Sequence, residues 1–402
     1  MKPRLLFLSP FVPAPGGHGS CMRAYRFIEA LAPHFEIHAL LAGHAESLRL
    51  PPEWCRQIAF TPLTLWPDPH ARIKSLLAFL PPLYRQLWPS PFEWQRAAAC
   101  RFDYPFDETN FDVVHVFRFY MTPLMDKLLR QVRAGKLWLD LDDIERSVRS
   151  QLAELRARQG CAARAAWARL EATQYAGLEE THLRRFARVF VASPEDRKRL
   201  IDTGLHEAPE WVPNVVSVPA ACGSPPAGRE RFRFLFVGTL NYEPNVDGLR
   251  WFCAEVLPRL RQLCSAPFVV RVVGRGLSRP LQRWFAAYPE LELAGYAPDI
   301  ELEYREASAV LVPVWAGGGS SIKTLEAFAL GKPVVATPVG VRGLGVEPGR
   351  HFLSADTAVA FADACASLVS KPDLGGSLAA AAHDYVRAHH SPNALERALR
   401  PA

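Results

Sequence analysis

Short apolar runs rich in β-branched and aromatic residues recur from end to end of the chain, separated by stretches with helical periodicity. In the first half they read LLFLSPF, IHALLAG, VVHVF, KLWLDL and VFVAS. The second half restarts the pattern with FRFLFVG, FVVRVVG, LELAGY, AVLVPVW and KPVVATP, spaced by helix-like segments such as NVDGLRWFCAEVLPRLRQLC. Alternation of this kind predicts α/β architecture with parallel sheets. Between the halves lies SVPAACGSPPAGRER, whose Pro, Gly and Ala content reads as a hinge. The pattern therefore predicts two Rossmann-like domains, 1–216 and 229–383, with a hinge at 217–228. No short-period repeat suggests a solenoid. In open α/β sheets ligands bind beyond the carboxyl ends of the strands, where loops enter helices, so those loops hold the candidate chemistry.

Length and composition agree with two cores. A chain of 402 residues exceeds one ordinary domain, and 49% hydrophobic with 22% charged residues is a globular composition. The richest apolar window, KSLLAFLPPLY, is short and broken by proline, well below the ~18 residues of a membrane span. The start, MKPRLLFLSPFVPAPGG, has the early Lys2 and Arg4 of a secretory signal, yet Pro10, Pro13 and Pro15 cut its apolar run. It reads as the first core strand. The eight cysteines show no CxxC pair or zinc-like spacing, so reduced thiols, a cytoplasmic location and no bound metal are expected. A net charge of +6 with interspersed acids argues against a nucleic-acid partner and leaves an anionic ligand or membrane surface open.

The densest chemistry lies in GGGSSIKTLEAFALGKPVVATPVG, from Gly317 to Gly340. Gly317, Gly318 and Gly319 follow a strand, and Ser320 or Ser321 can cap the helix that begins there. Unhindered backbone N–H groups at such a start suit an anion. Lys323 and Glu326 fall one turn apart on one helix face, offering an ammonium for phosphate and a carboxylate for paired hydroxyls such as a ribose diol. A plain surface Lys/Glu pair beside a tight turn is the competing reading.

The order and spacing of FLFVGTLNYEPNVDGLRWF, VVRVVGRG, LAGYAPDIELEYREASAVLVPVW and LEAFALGKPVVATPVGVRGL resemble the family-4 glycosyltransferases. The resemblance implies a GT-B fold, two Rossmann-like domains facing an interdomain cleft, with residues 384–402 as a helix returning to the N-terminal domain. It implies transfer of a sugar from a nucleoside diphosphate sugar to a glycan or lipid-linked acceptor, with retention and no essential metal or other cofactor. Polysaccharide or glycolipid assembly would be the setting. In this family the glutamate before the small-residue helix binds the donor ribose, which falls on Glu326. Gly318 stands where many members place an earlier glutamate, and Lys323 would then contact the diphosphate as a catalytic cation. The usual Arg and Lys after the first strand of the second domain are replaced in GTLNYEPN, where Gly238 opens the loop and Thr239 and Asn245 follow. Arg275 of VGRG is a further candidate for the diphosphate, or a solvated loop arginine. Gly295 and Tyr296 match the loop lining the nucleobase.

The first domain opens with PAPGGHGS after a strand. Met22 stands where GxGxxG needs its third glycine, and no GxxxxGK[ST] is present. Gly16 and Gly17 match the family's double glycine, where a backbone without side chains can approach the donor. LWLDLDDIERS admits a metal-binding Asp-x-Asp or a phosphatase nucleophile at Asp140 and Asp142. By resemblance Asp142 takes the place of a histidine near the reacting carbon, while Asp140 or Asp143 could cap the next helix. His115 and Arg118 end another strand and could reach an acceptor or phosphate, or lie in the core. The segment 63–102, rich in Trp, Pro, Leu and Arg, could rest on an anionic membrane or pack on its own domain. A non-catalytic sugar-nucleotide or glycan-binding protein on the same fold is the alternative to an enzyme.

Overall fold

The computed structural model describes residues 2–43, 48–63, 90–220 and 231–399. Most of the segment 63–102 and of the hinge, namely 64–89 and 221–230, lies outside the described residues. The chain divides into two units, 1–214 with the residues from 395 onward, and 215–394. The boundary precedes 216 because Val216 N–H donates to His390 O at 3.0 Å and the His383 ring bonds Pro219 O at 3.0 Å, tying this strand of chain to the second unit. Residues 384–402 are not one helix: the helix Pro372–His389 ends there and a separate helix, Pro392–Leu399, follows.

The first unit holds a seven-stranded parallel sheet. Its strands are β1 Arg4–Ser9, β2 Glu36–Ala42, β3 Gln57–Thr61, β4 Asn110–Phe117, β5 Arg133–Asp140, β6 Arg188–Val191 and β7 Glu210–Trp211, in the order β3-β2-β1-β4-β5-β6-β7. Leu5, Leu6, Phe7 and Leu8 of β1 are fully buried, which is why a central strand reads as an unbroken apolar run. Sheet order turns back between β1 and β4, so the loop after β1 opens at a topological switch point. Register pairs Phe117 with Asp140, which brings Arg118 and the DLDD stretch out side by side.

The second unit holds six parallel strands, β8 Phe232–Val237, β9 Phe268–Val273, β10 Leu291–Gly295, β11 Ala309–Val312, β12 Val334–Ala336 and β13 Leu353–Ser354, ordered β10-β9-β8-β11-β12-β13. Its switch point lies between β8 and β11, so the GTLNYEPN loop and the glycine loop meet there. A Cβ on Gly248 would stand 2.1 Å from Pro313 O, so the helix Glu243–Trp251 packs against the β11 exit only through a glycine. Downstream, Phe252–Val256 forms a π turn before the helix Leu257–Leu263, within the stretch expected as one regular helix.

All ten anticipated strands are present. β3, β7 and β13 were not anticipated, because they are short or half-exposed. His115 is a core residue rather than a ligand-facing one. Its ring stacks between Phe7 (4.9 Å) and Phe190 (5.9 Å), both nitrogens lack a hydrogen-bond partner, and burial pushes its pKa down to about 3. The unfolded chain takes up a proton below pH 6.5 that the folded state refuses, so stability falls as pH drops from there toward 3. His115→Phe should raise stability by about 1 kcal/mol near neutrality, the low end for an unmatched buried polar group. The gain should widen as pH falls, measured by thermal unfolding between pH 7 and 5. A destabilised variant would mean that the ring nitrogens do find partners.

Candidate functional site

At the carboxyl end of β11 the chain runs through the three glycines into the helix Ile322–Ala329. Gly319 has φ 53°, a left-handed conformation that requires glycine or costs strain, and Arg342 donates to Gly317 O from the far side of the loop. Ser321 occupies the N-cap position, but its side chain makes no capping bond. Its Oγ lies 3.0 Å from the Thr324 hydroxyl, which also reaches Gly340 O at 2.7 Å. Ser320 is buried next to it.

Lys323 and Glu326 share a face as their spacing requires, yet each has its own partner. The Lys323 ammonium donates to Asn245 Oδ1 at 2.6 Å and lies 5.4 Å from the Phe236 ring centre. Asn245 Nδ2 donates to Thr239 O at 3.0 Å, so the amide is held from both ends. A Cβ on Gly238 would fall 2.7 Å from that Nδ2, which makes the glycine the space in which the amide lies. Glu326 Oε2 accepts from the fully buried Tyr304 hydroxyl at 3.0 Å. Burial lowers the Lys323 pKa to about 8, opposed by the Glu326 charge. It also raises Glu326 to about 7, opposed by the Tyr304 hydrogen bond and by Lys323. Both groups thus titrate near neutrality as a coupled pair. The site presents one ammonium and one carboxylate beside a glycine loop, a donor set for a phosphorylated diol.

Arg275 and Tyr296, which leave β9 and β10, pair with each other: the guanidinium lies 3.7 Å from the ring centre, and Tyr296 is 59% exposed. They form a flat cationic and aromatic surface, whereas Lys323, Asn245 and Glu326 form the polar cluster.

In the first unit, Gly16 and Gly17 sit in open space, where a Cβ on either would meet nothing within 4 Å. Gly17 needs to be glycine for its φ of 101°; Gly16 does not. Asp142 is buried, with Oδ2 accepting from Ser20 Oγ at 2.8 Å and Arg118 Nη1 at 3.0 Å. Arg118 also contacts Asp143 at 2.7 Å and Glu145 at 2.6 Å, so its charge is spent on neighbouring carboxylates rather than offered to a phosphate. Asp143 is not a helix cap, since Ile144 holds that position. Asp140 is fully buried, and both its oxygens accept from Arg23. Burial raises Asp140 to about 6, and the arginine pulls the other way. A carboxylate locked in this manner is neither an accessible nucleophile nor a metal ligand, which removes the phosphatase reading. Among the described residues no group of three or more His, Cys, Asp or Glu is arranged to hold a metal, and no helix is long and apolar enough to cross a membrane.

Sequence reasoning did not single out Ser20, Arg23, Tyr304 or Arg342, and it read Asn245 only as a missing cation. Arg23 had a signal: a charged residue among Met22, Ala24, Phe27 and Ile28 on the buried helix face. Tyr304 had none, because its partner lies on a helix 22 positions away.

Residues 231–371 match the family model described as Glycosyl transferases group 1. No curated protein matches by sequence. Solved structures match along nearly the whole chain. A sucrose-phosphate synthase from Thermosynechococcus elongatus is 16% identical with TM-score 0.68, covering 98% of this chain and 96% of its own. Anabaena HepE, solved in complex with UDP and glucose, is 16% identical with TM-score 0.61, covering 98% and 97%. WaaG, a glycosyltransferase involved in lipopolysaccharide biosynthesis, is 14% identical with TM-score 0.60, covering 98% of each chain. The chain thus has the GT-B fold of these glycosyltransferases, and its second unit carries a glycosyl transferases group 1 domain.

Proposed function

We propose that this protein is a retaining glycosyltransferase that moves a sugar from a nucleoside diphosphate sugar to an acceptor hydroxyl without an essential metal. The observation that carries the reading is the Lys323 ammonium and Glu326 carboxylate on one helix face directly behind a glycine loop, inside the matched domain. Glu326 accepts hydrogen bonds from the ribose diol, and Tyr304 holds it in place. Lys323 and the loop N–H groups meet the diphosphate. As the anomeric C–O bond breaks, its electron pair passes to the diphosphate oxygen, where a fixed ammonium stabilises the growing charge. The acceptor oxygen bonds the anomeric carbon and gives its proton to the departing diphosphate on the same face, which retains configuration. The complex of HepE with UDP and glucose supports a nucleotide-sugar donor. A glycan or lipid-linked acceptor, handled by the first unit on the cytoplasmic side, completes the reading. Gly318 in place of a carboxylate, and Asn245 in place of a cation, favour a second reading in which the protein binds sugar nucleotides without turnover.

Product formation from a panel of UDP, GDP and ADP sugars, with and without chelator, tests the reading. Turnover that survives EDTA supports it; turnover lost in EDTA and restored by Mg²⁺ or Mn²⁺ contradicts the metal-free mechanism, and binding without product selects the second reading.

Glu326→Ala should weaken nucleotide binding by roughly 10–100-fold, the loss of a charged hydrogen bond. Calorimetry showing unchanged affinity would remove the ribose role. Affinity should also rise with pH as the pair loses its first proton near 7 and fall as it loses the ammonium proton near 8, a bell absent from a Glu326→Gln, Lys323→Met double variant. Lys323→Ala should lower turnover at saturating donor by about 10²–10³-fold, the range for one preorganised electrostatic group, with Lys323→Arg rescuing only in part. Wild-type turnover in Lys323→Ala would transfer the leaving-group role to other groups.

A further inference from the structure

Among the described residues, two that are not glycine have positive φ: Arg118 at 73° and Asp142 at 57°. Aspartate tolerates the left-handed region; arginine rarely visits it, and such strain persists where surrounding contacts over-determine it. Here the two strained residues hold each other. Arg118 N–H donates to Asp140 O at 2.8 Å across the ends of β4 and β5, and Arg118 Nη1 donates to Asp142 Oδ2 at 3.0 Å.

The pair has a third member. Asp142 Oδ2, already matched by the guanidinium, also accepts from the Ser20 hydroxyl at 2.8 Å, in the first turn of the helix Gly19–Leu31. Charge compensation does not need this bond, since Arg118 is present and Arg23 Nε stands 3.8 Å from Asp142 Oδ1. Its effect is to pin the helix start. Ala14 N–H donates to Cys21 O at 3.2 Å, closing a loop whose tip carries Gly16 and Gly17, and His18 Nδ1 accepts from Ser20 N–H at 3.3 Å. Ser20 is therefore the point at which the strained strand ends grip the glycine loop.

We propose that Ser20 and Arg118 are positioning residues that act through Asp142, holding the Gly16–Gly17 backbone in the geometry in which it meets substrate. The proposal rests on the glycosyl-transfer reading, with the double glycine as the part of the first unit that a substrate meets. It assigns Asp142 a mechanical task, with its carboxylate turned to Ser20 and Arg118.

Hydrogen exchange on the full chain tests the grip without any assumption about substrate. Ser20→Ala should speed exchange of the amides from 16 to 22 by roughly tenfold or more while those of β4 and β5 keep their protection, as expected for a local opening. Ser20→Thr, which keeps the hydroxyl, should restore slow exchange. Arg118→Lys, which keeps the charge but not the planar fork, should loosen the same amides. With a donor that supports turnover, Ser20→Ala should raise its KM by about tenfold and leave saturated turnover within about twofold, because a mobile loop weakens binding before chemistry. Unchanged exchange in Ser20→Ala overturns the proposal. Faster exchange with unchanged KM also overturns it, since the loop would then be gripped without meeting substrate, while glycosyl transfer itself would stand. Absence of turnover with every donor in the wild-type chain sinks the glycosyl-transfer reading and the substrate-facing part of this proposal, and the exchange result still decides whether the grip exists.

Discussion

The candidate donor site depends on where one ammonium is held. Lys323 is half-buried, and in that setting a charged amine needs a hydrogen-bond acceptor or it gives up its proton. Asn245 supplies the acceptor at 2.6 Å, and its amide can lie there because Gly238 has no side chain and Thr239 O receives its other end. A neutral amide holds the lysine without cancelling its charge, as a carboxylate would. The cation therefore stays available to an anion arriving at the glycine loop.

The fold brings these parts together through sheet order. Gly238 and Asn245 follow β8, and the glycines and Lys323 follow β11, strands that are neighbours at the point where the order turns back. Tyr304 reaches Glu326 from the helix that precedes β11, so the carboxylate is held by the same crossover that delivers the strand. The first unit repeats the arrangement with different chemistry. Its switch-point loop carries bare glycines, and the arginines beside it are matched by acids, Arg23 of the following helix by Asp140 and Arg118 at the end of β4 by Asp142, Asp143 and Glu145, so that both act as internal braces.

Much of this was legible in the residues. Parallel strands buried on both faces announce themselves as apolar runs, so the α/β class and all ten principal strands could be read directly. The Lys323 and Glu326 pair followed from helical spacing, and the glycine loops from their composition. The partners could not be read. Asn245 lies 78 positions from Lys323, and Arg23 lies 117 from Asp140, distances across which spacing carries no information about contact. Arg118 and His115 were left with two readings for the same reason: a strand end looks identical in sequence whether its side chain turns to solvent or is matched inside. Short strands such as β7 and β13 hold too few apolar residues to register as a pattern.

In the proposed mechanism a nucleoside diphosphate is met by Lys323 as an ammonium although burial has brought its pKa down to about 8. Isothermal titration of UDP, GDP and ADP at pH 8.5, repeated in buffers of different ionisation enthalpy, measures the protons exchanged on binding. Free diphosphates are fully ionised there, so binding should be accompanied by net proton uptake by the protein, lost in Lys323→Met. Tight binding with no proton uptake, or uptake that persists in Lys323→Met, would contradict it.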